Sequence, residues 1–572
     1  MNIEKLFPHA LLKKKNGQFI EAENIFKEIL LLSPNHFESI INIGLLNIQK
    51  KDYDKSIIYF RKAISINKNN SDPYINLGNI YFIQKKYRKA IENFQLAKKI
   101  NPKNENAYNN LCFLHNQLEE YTVAINIAKE GLKINPNNYF ILNILGSINI
   151  KLNKIERGIA FFIKSINSNN NYIYSYINLI NILERINKLD LCNDYLNQAK
   201  KNFPDDPQII ILEANYYYRL KNFNKSNQIL LQNNLLTKIE NQEESLIKYH
   251  DLVAKNYDNL DQYKHALQHF LVRNNLKLKQ DKNKKFDKNI IFKLIHDYKK
   301  YFTKNRIKSF TKNVVIDKYK KLYFLVGFPR SGTTLLDSIL RTHTNVSVFE
   351  EKPLIPNIRD QFFLSKSNRI DALSSLKQKD IMNMQKDYFS SLKDHLEDEN
   401  INEIIIDKTP LNIIEIGFIN RIFPNSKFIL MLRHPCDVVL SCVMADFKIN
   451  EAMANFYTLE DSTFFYNEIF SLWKHYTEEM DITFHQLKYE DLVLNFQPTL
   501  VNLLKFLNLE WEDNLINFNK KALERKKINT PSYSQVIEPL YRKSLNRWER
   551  YEEIKNVYPL LETWIKEFQY NN

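Results

Sequence analysis

At 572 residues the chain exceeds what one hydrophobic core can organise, so two or three domains are expected. Its 44% apolar fraction is that of a folded globular protein, and no run of about 18 apolar residues exists to span a membrane. A net charge of +16 admits nucleic acid, a membrane surface or an anionic substrate, yet no zinc spacing, helix-turn-helix signature or RNA-binding aromatic motif accompanies it, which argues against nucleic acid. Residues Met1 to Gln18 lack the apolar core of a signal peptide, so none is expected. Cys112, Cys192, Cys436 and Cys442 form no Cys-x-x-Cys pair, which speaks for a reducing compartment and a cytoplasmic location.

From the N-terminus, the first 240 residues repeat with a period of 34 and no slip in register. One column of small residues runs Ala10, Gly44, Gly78, Cys112, Gly146, Ile180 and Ala214, with Ile180 the large exception. A second runs Ala22, Ser56, Ala90, Ala124, Gly158, Cys192 and Ser226. A mostly aromatic column holds Phe19, Tyr53, Tyr87, Tyr121 and Phe223, with Ile155 and Leu189 substituting. Pro34, Pro102, Pro136 and Pro204 fall at repeat ends, where Lys68 and Asn170 stand in the other two. Small residues sit where two helices of a hairpin cross closely, large ones fill the gap beside them, and Pro or Asn stops the second helix. Cys112 and Cys192 thereby become packing residues rather than reactive thiols. Period and columns together resemble the tetratricopeptide repeat, present seven times over residues 1–240. The resemblance implies a superhelix with a concave groove, in which a polypeptide partner or acceptor is expected to bind; spacing or oligomerisation, for instance as a homodimer, is the alternative use.

After Asn234 the register fades. Segments around Tyr249–Asn256 and Tyr263–Leu271 read as one degenerate helix pair capping the array, followed by the lysine-rich stretch Lys277–Lys288 and an amphipathic segment from Ile290 to Phe302. Residues 241–284 are thus expected to be capping helices and a basic connector, and 285–572 a second domain.

In that domain apolar strand candidates, Leu322–Val326, Ile404–Ile406, Phe428–Leu432 and Thr483–Leu487, alternate with helical patterns, which predicts a parallel sheet with helices on both faces. Its ligand is expected beyond the carboxyl ends of the strands. The first strand runs into Gly327-Phe328-Pro329-Arg330-Ser331-Gly332-Thr333-Thr334, and a helical pattern resumes at Leu335. Strand, tight loop and helix N-terminus make an anion site, with free backbone N–H groups and the positive end of the helix dipole converging on the loop. Gly327 and Gly332 have triphosphatase spacing, but Thr333 stands where such enzymes need Lys; the cation is inside the loop, at Arg330. Arg433 ends the third of these strands, Pro435 opens a helix, and Ser441 lies about two turns into it, so Arg433 and Ser441 are placed to converge on one anion. Lys408 follows the second strand, where a cation stabilises charge on a transferred group. For a general base the candidates near the loop are Glu351, Glu350 and His343. Cys436 and Cys442 read as helix-packing residues.

Pro329-Arg330-Ser331-Gly332-Thr333-Thr334 after a strand resembles the 5′-phosphosulfate loop of sulfotransferases that use 3′-phosphoadenylyl sulfate (PAPS). Its Arg form is similar to tyrosylprotein sulfotransferases and to sulfotransferases fused to tetratricopeptide repeats. The resemblance implies that Arg330, Ser331, Gly332, Thr333 and Thr334 hold the 5′-phosphosulfate, and that Arg433 and Ser441 hold the 3′-phosphate. It implies Lys408 and Arg330 as the catalytic cations and Glu351 as the general base; the counterpart of His343 is not the base in that family. Tyr489, before Glu490, corresponds to the Tyr beside the adenine. Ser532 through Arg547 and Trp548 resembles the loop over the nucleotide, making Ser532 and Arg547 further 3′-phosphate contacts. The departures are Pro353 and Ala445, each standing where the family has an Arg, and Arg547, where it has a Lys; Pro353 puts the same peptide acceptor in doubt.

The expected architecture is therefore an α-solenoid of repeats followed by a P-loop-like α/β sulfotransferase domain with a parallel sheet. The expected function is PAPS-dependent transfer of a sulfuryl group to a hydroxyl, on peptide tyrosine or a glycan, with no metal. A triphosphate-dependent kinase, or a non-enzymatic repeat adaptor with a relic nucleotide fold, are the competing readings.

Overall fold

The computed structural model describes residues 3–232, 234–282, 286–310, 321–364, 370–393, 402–519, 542 and 544–570. The chain divides into two compact units, Met1–Leu212 and Glu213–Asn572.

The first unit is a series of helical hairpins, from Ile3–Lys15 with Phe19–Leu32 to Ile173–Arg185 with Leu189–Asn202. Its packing derives from the columns. A Cβ on Gly44, Gly78 or Gly146 would lie 2.8, 2.4 or 2.5 Å from the ring of Phe60, Phe94 or Phe162, so these positions admit glycine because an aromatic ring rests on the helix backbone. The two small columns are also bonded to each other: Ser56 Oγ donates to Gly44 O at 2.6 Å and Cys192 Sγ lies 3.8 Å from Ile180 O. Burial pushes the Cys112 thiol up to about 12, consistent with a packing role. Between the helices of each hairpin one residue turns left-handed; Gly17 does so first, and Lys51, Lys85, Glu119, Asn153 and Asn187 repeat it. The second helices end at Asn67, Asn101, Asn135 and Asn169, whose side-chain oxygens accept the N–H two residues on at 3.0–3.1 Å. Asparagine thus stops the helix with its own side chain, whether or not a proline comes next.

The second unit begins within the seventh hairpin, where Ser226 Oγ donates to Ala214 O at 2.8 Å in the same pattern. Helices Glu243–Asn259 and Tyr263–Lys282 form one more hairpin, with Asp261 (φ 59°) as its left-handed residue. This hairpin shares a core with the sheet and its helices: Ala254, Ala266, Leu267 and Phe270 are buried in one cluster with Tyr298, Phe324, Val326 and Tyr466.

The sheet has five parallel strands, β1 (Leu322–Gly327), β2 (Val346–Glu350), β3 (Ile404–Lys408), β4 (Lys427–Leu432) and β5 (Thr483–Lys488), in the order β2-β3-β1-β4-β5. Phe324 and Val326 of β1 enter one core and Tyr323 and Leu325 the other, so the strand is apolar throughout because both faces are covered. The edge strand β2 carried no strand signal in the sequence: it is short, a serine interrupts its apolar residues and a glutamate ends it. Among the described residues no helix is long and apolar enough to cross a membrane.

Candidate active site

The strands end in register. Gly327 of β1 pairs with Met431 of β4 and Leu325 with Lys408 of β3; Lys408 pairs with Glu350 of β2, and Leu432 with Lys488 of β5. The residues just past each strand are therefore delivered to one edge: the loop at Phe328, Glu351, Thr409, Arg433 and Tyr489. From β1 the chain fills one side of the sheet with β2 and β3 and then crosses to the other side for β4 and β5, so β1 lies at the switch point at which open α/β sheets bind ligands.

The loop is pressed against β4 and the start of the helix after β5. Gly332 has φ 104° and caps helix Thr333–Leu340; a Cβ there would meet Tyr489 Cδ2 at 2.6 Å and Met431 Cε at 2.9 Å. On Gly327 it would lie 2.5 Å from Met431 O. Two glycines thus let the backbone close on its neighbours, leaving the first-turn amides of the helix as a donor set. Ser331, Thr333 and Thr334 are buried in this cradle. Arg330 adopts φ 71°, a conformation seldom taken by a residue with a side chain, and its Nε donates to Ser441 Oγ at 3.0 Å.

Ser441 comes from helix Pro435–Met444, with Pro435 at its first position. Arg433, buried just before it, donates from Nη1 to Arg330 O at 3.3 Å and from Nη2 to Ser544 O at 2.6 Å. Its guanidinium lies 5.0 Å from the centre of the Tyr489 ring and 3.7 Å from Asp437 Oδ2, and Tyr489 OH shares a 2.6 Å hydrogen bond with Ser544 Oγ. Arg330, Arg433, Ser441 and Tyr489 are thereby brought together. Ser331 Oγ and Arg433 Nε are buried without a hydrogen-bond partner among the described residues. Arg547 stands near the same edge, with the next residue's N–H donating to Asp437 Oδ1 at 2.9 Å, but its guanidinium pairs with Asp258 at 2.6 Å. Ser532 lies outside the described residues.

On the other side of β1, the Lys408 side chain is fully buried among three carboxylates: Glu351 Oε1 at 2.8 Å, Glu350 Oε1 at 3.4 Å and Asp337 Oδ2 at 4.0 Å. Burial alone would lower its pKa, but Glu351, Asp337 and Glu350 outweigh that and raise it, so Lys408 is a cation at neutral pH. Glu351 has φ 45°, and its side chain is 38% exposed against 8% for Glu350, so Glu351 is the carboxylate a ligand from solvent can reach. Asp407, the neighbour a solvated Lys408 would have paired with, turns away and accepts from Tyr388 OH at 2.8 Å and Thr409 Oγ1 at 2.9 Å. Burial raises its pKa to about 6 although both bonds and Lys408 oppose this. His343 is engaged elsewhere, with Nε2 3.0 Å from Glu510 O and Nδ1 3.4 Å from Glu512.

Sequence reasoning missed Asp337, Ser544 and Asp437. Asp337 had a signal, a carboxylate four residues before Arg341 and the one charged residue of its helix, and the two do pair. Ser544 had none, because it reaches Arg433 and Tyr489 only through the fold. Among the described residues no group of three or more His, Cys, Asp or Glu is placed to hold a metal ion.

Residues 323–513 match the model of the sulfotransferase family, and residues 37–70 and 71–104 each match that of the tetratricopeptide repeat. An uncharacterized protein of Aquifex aeolicus is 28% identical over 251 residues, which cover 42% of this chain and 32% of that protein. Protein-tyrosine sulfotransferase 2 of Gallus gallus is 28% identical over 240 residues, 40% of this chain and 62% of that one. Protein-tyrosine sulfotransferase 1 of Danio rerio is 29% identical over 251 residues, 41% and 67%. The chain thus spans about a third of the first relative and three-fifths of the second. Over residues 323–513 the chain is thus similar to the sulfotransferase family, and N-terminal to that stretch it is similar to tetratricopeptide repeats.

Proposed function

We propose that the second unit binds PAPS and transfers its sulfuryl group to an acceptor hydroxyl. The observation that carries this reading is the convergence of Arg330, Arg433 and Ser441 on one side of β1 with the Lys408–Glu351 pair on the other. The residues fit the nucleotide: Ser331 Oγ and Arg433 Nε are buried polar atoms lacking partners among the described residues, beside a loop that Gly327 and Gly332 let close tightly against Met431 and Tyr489. When bound, PAPS supplies an activated sulfuryl group and adenosine 3′,5′-bisphosphate as leaving group.

In this reading the loop amides, Arg330, Ser331, Gly332, Thr333 and Thr334 bind the 5′-phosphosulfate. Arg433 and Ser441 hold the 3′-phosphate, Ser532 adds to that contact, and Tyr489 lies beside the adenine. Arg330 and Lys408 offset negative charge that builds during transfer. Glu351, the exposed carboxylate, accepts the acceptor's hydroxyl proton while Lys408 holds its Oε1 in place. Tetratricopeptide arrays generally bind polypeptides on their concave face, and the array is read here as recruiting a polypeptide acceptor or partner. The likeness to protein-tyrosine sulfotransferases favours tyrosine as the accepting residue, and Pro353 marks where acceptor contacts differ.

Calorimetry with adenosine 3′,5′-bisphosphate and with AMP tests the nucleotide assignment. The bisphosphate is expected to bind about ten- to a hundredfold more tightly, the worth of a buried charge-assisted contact, and to do so in EDTA. Equal affinities would overturn it.

A further inference from the structure

The helix that presents Ser441 ends at Met444, and its last carbonyls have no partner within the helix. They are met by a guanidinium from the hairpin that comes after the repeats. Arg273, on helix Tyr263–Lys282, is fully buried and donates to Met444 O at 3.0 Å, Val443 O at 2.9 Å and Ala445 O at 3.1 Å. The same side chain is held by Asp251 at 2.5 Å, which also pairs with Lys255 at 2.6 Å, and by Asn274 Oδ1 at 2.8 and 3.1 Å. Asn274 Nδ2 in turn donates to Val443 O at 2.9 Å and Tyr457 O at 3.1 Å. Every N–H bearing nitrogen of the guanidinium is engaged, and its charge sits at the negative end of the helix dipole. Farther along the same helix Lys277 Nζ donates to Phe447 O at 3.0 Å.

We infer that Arg273 is a positioning residue for the 3′-phosphate site: by clamping residues 443–445 it fixes the height of Ser441 against Arg330. The inference rests on the nucleotide reading above and assigns the hairpin at Glu243–Lys282 to the nucleotide site's own framework. Planarity matters, because three carbonyls and a carboxylate are satisfied by one fork that an ammonium cannot reproduce.

The test measures adenosine 3′,5′-bisphosphate and AMP affinities on the full chain for wild type, Arg273→Lys, Ser441→Ala and the double variant. AMP lacks the 3′-phosphate, so the affinity ratio isolates that contact from general loss of packing. Arg273→Lys keeps a positive charge beside Asp251 and is expected to lower the ratio about three- to tenfold, with a much smaller further loss once Ser441 is already Ala. An unchanged ratio in folded Arg273→Lys, or full additivity with Ser441→Ala, would overturn the inference. If Arg273→Lys does not fold, Asn274→Ala leaves the ion pair and must lower the ratio in the same direction, or the inference fails. A wild-type protein without preference for the bisphosphate would instead remove the nucleotide reading itself.

Discussion

The two units bury their polar groups in different ways. In residues 3–212 the buried polar side chains are serines, asparagines and His115, and Glu23 is the charged one among the described residues. Their bonds are largely made within one hairpin or to the next, as from Ser56 to Gly44 or Asn178 to Asn143. The second unit buries Arg273, Asp337, Asp407, Lys408, Glu415, Arg421, Arg433 and Asp437. Several of these are tied to partners more than a hundred residues away, Arg273 to Val443 and Arg433 to Arg330 among them. A repeat needs only its neighbours, so its stability comes from local burial at low electrostatic risk. A buried charge is tolerated only with partners placed around it, and such sites concentrate where ligands bind.

That contrast can be broken most forcefully at Glu351. Glu351→Gln should leave nucleotide affinity intact and lower turnover by about 10²–10⁴-fold, the range for a general base. Normal turnover in Glu351→Gln with loss in Glu350→Gln would move the base to the less exposed carboxylate.

Asp407 offers a stability test in the same unit. Its pKa is about 6 in the fold against 3.8 as a free side chain, so the folded state holds the proton more tightly. Its contribution is therefore greatest below pH 4 and falls as pH rises through 6, by about 3 kcal/mol in all. Denaturant unfolding of Asp407→Asn, compared with wild type at pH 4 and pH 7, should show the variant gaining relative stability at the higher pH. Parallel pH profiles would show that Tyr388 and Thr409 hold Asp407 as an anion throughout.

The smallest of these effects belongs to the array. Gly78→Ala places a Cβ 2.4 Å from the buried Phe94 ring, and overpacking should cost about 1–2 kcal/mol net of the better helix propensity of alanine. Circular dichroism should show the helical transition at lower temperature, with bisphosphate affinity unchanged. A change in that affinity would mean that the array and the nucleotide site do not separate as the comparison has it. A fragment meant to isolate the catalytic part must keep the helices from Glu243 on. A cut near Gln280, where the fading repeat register invites one, removes Asp258, Arg273 and Asn274 together with their bonds to Arg547 and residues 443–457.

Much of the site was legible because its residues come directly after strands. Arg330, Lys408 and Arg433 each sit at or just after an apolar run, and Tyr489 just after a more polar strand, where a parallel sheet must place them at one edge. Less legible were β2, whose alternation is too short to register, and Asp337, which reads as an ordinary helix-surface pair with Arg341 until Lys408 is seen beside it.

By itself the sequence determined the repeats, their hairpins and the parallel sheet, since a 34-residue period and apolar runs are local properties that hydrophobic burial enforces wherever they occur. Only the tertiary structure decided that Lys408 is ringed by three carboxylates, that Arg547 faces Asp258, and that Arg273 caps the helix carrying Ser441. Those pairings join segments distant in the chain, and a buried charge takes its partner from whatever the folded backbone brings within reach, which no local pattern encodes.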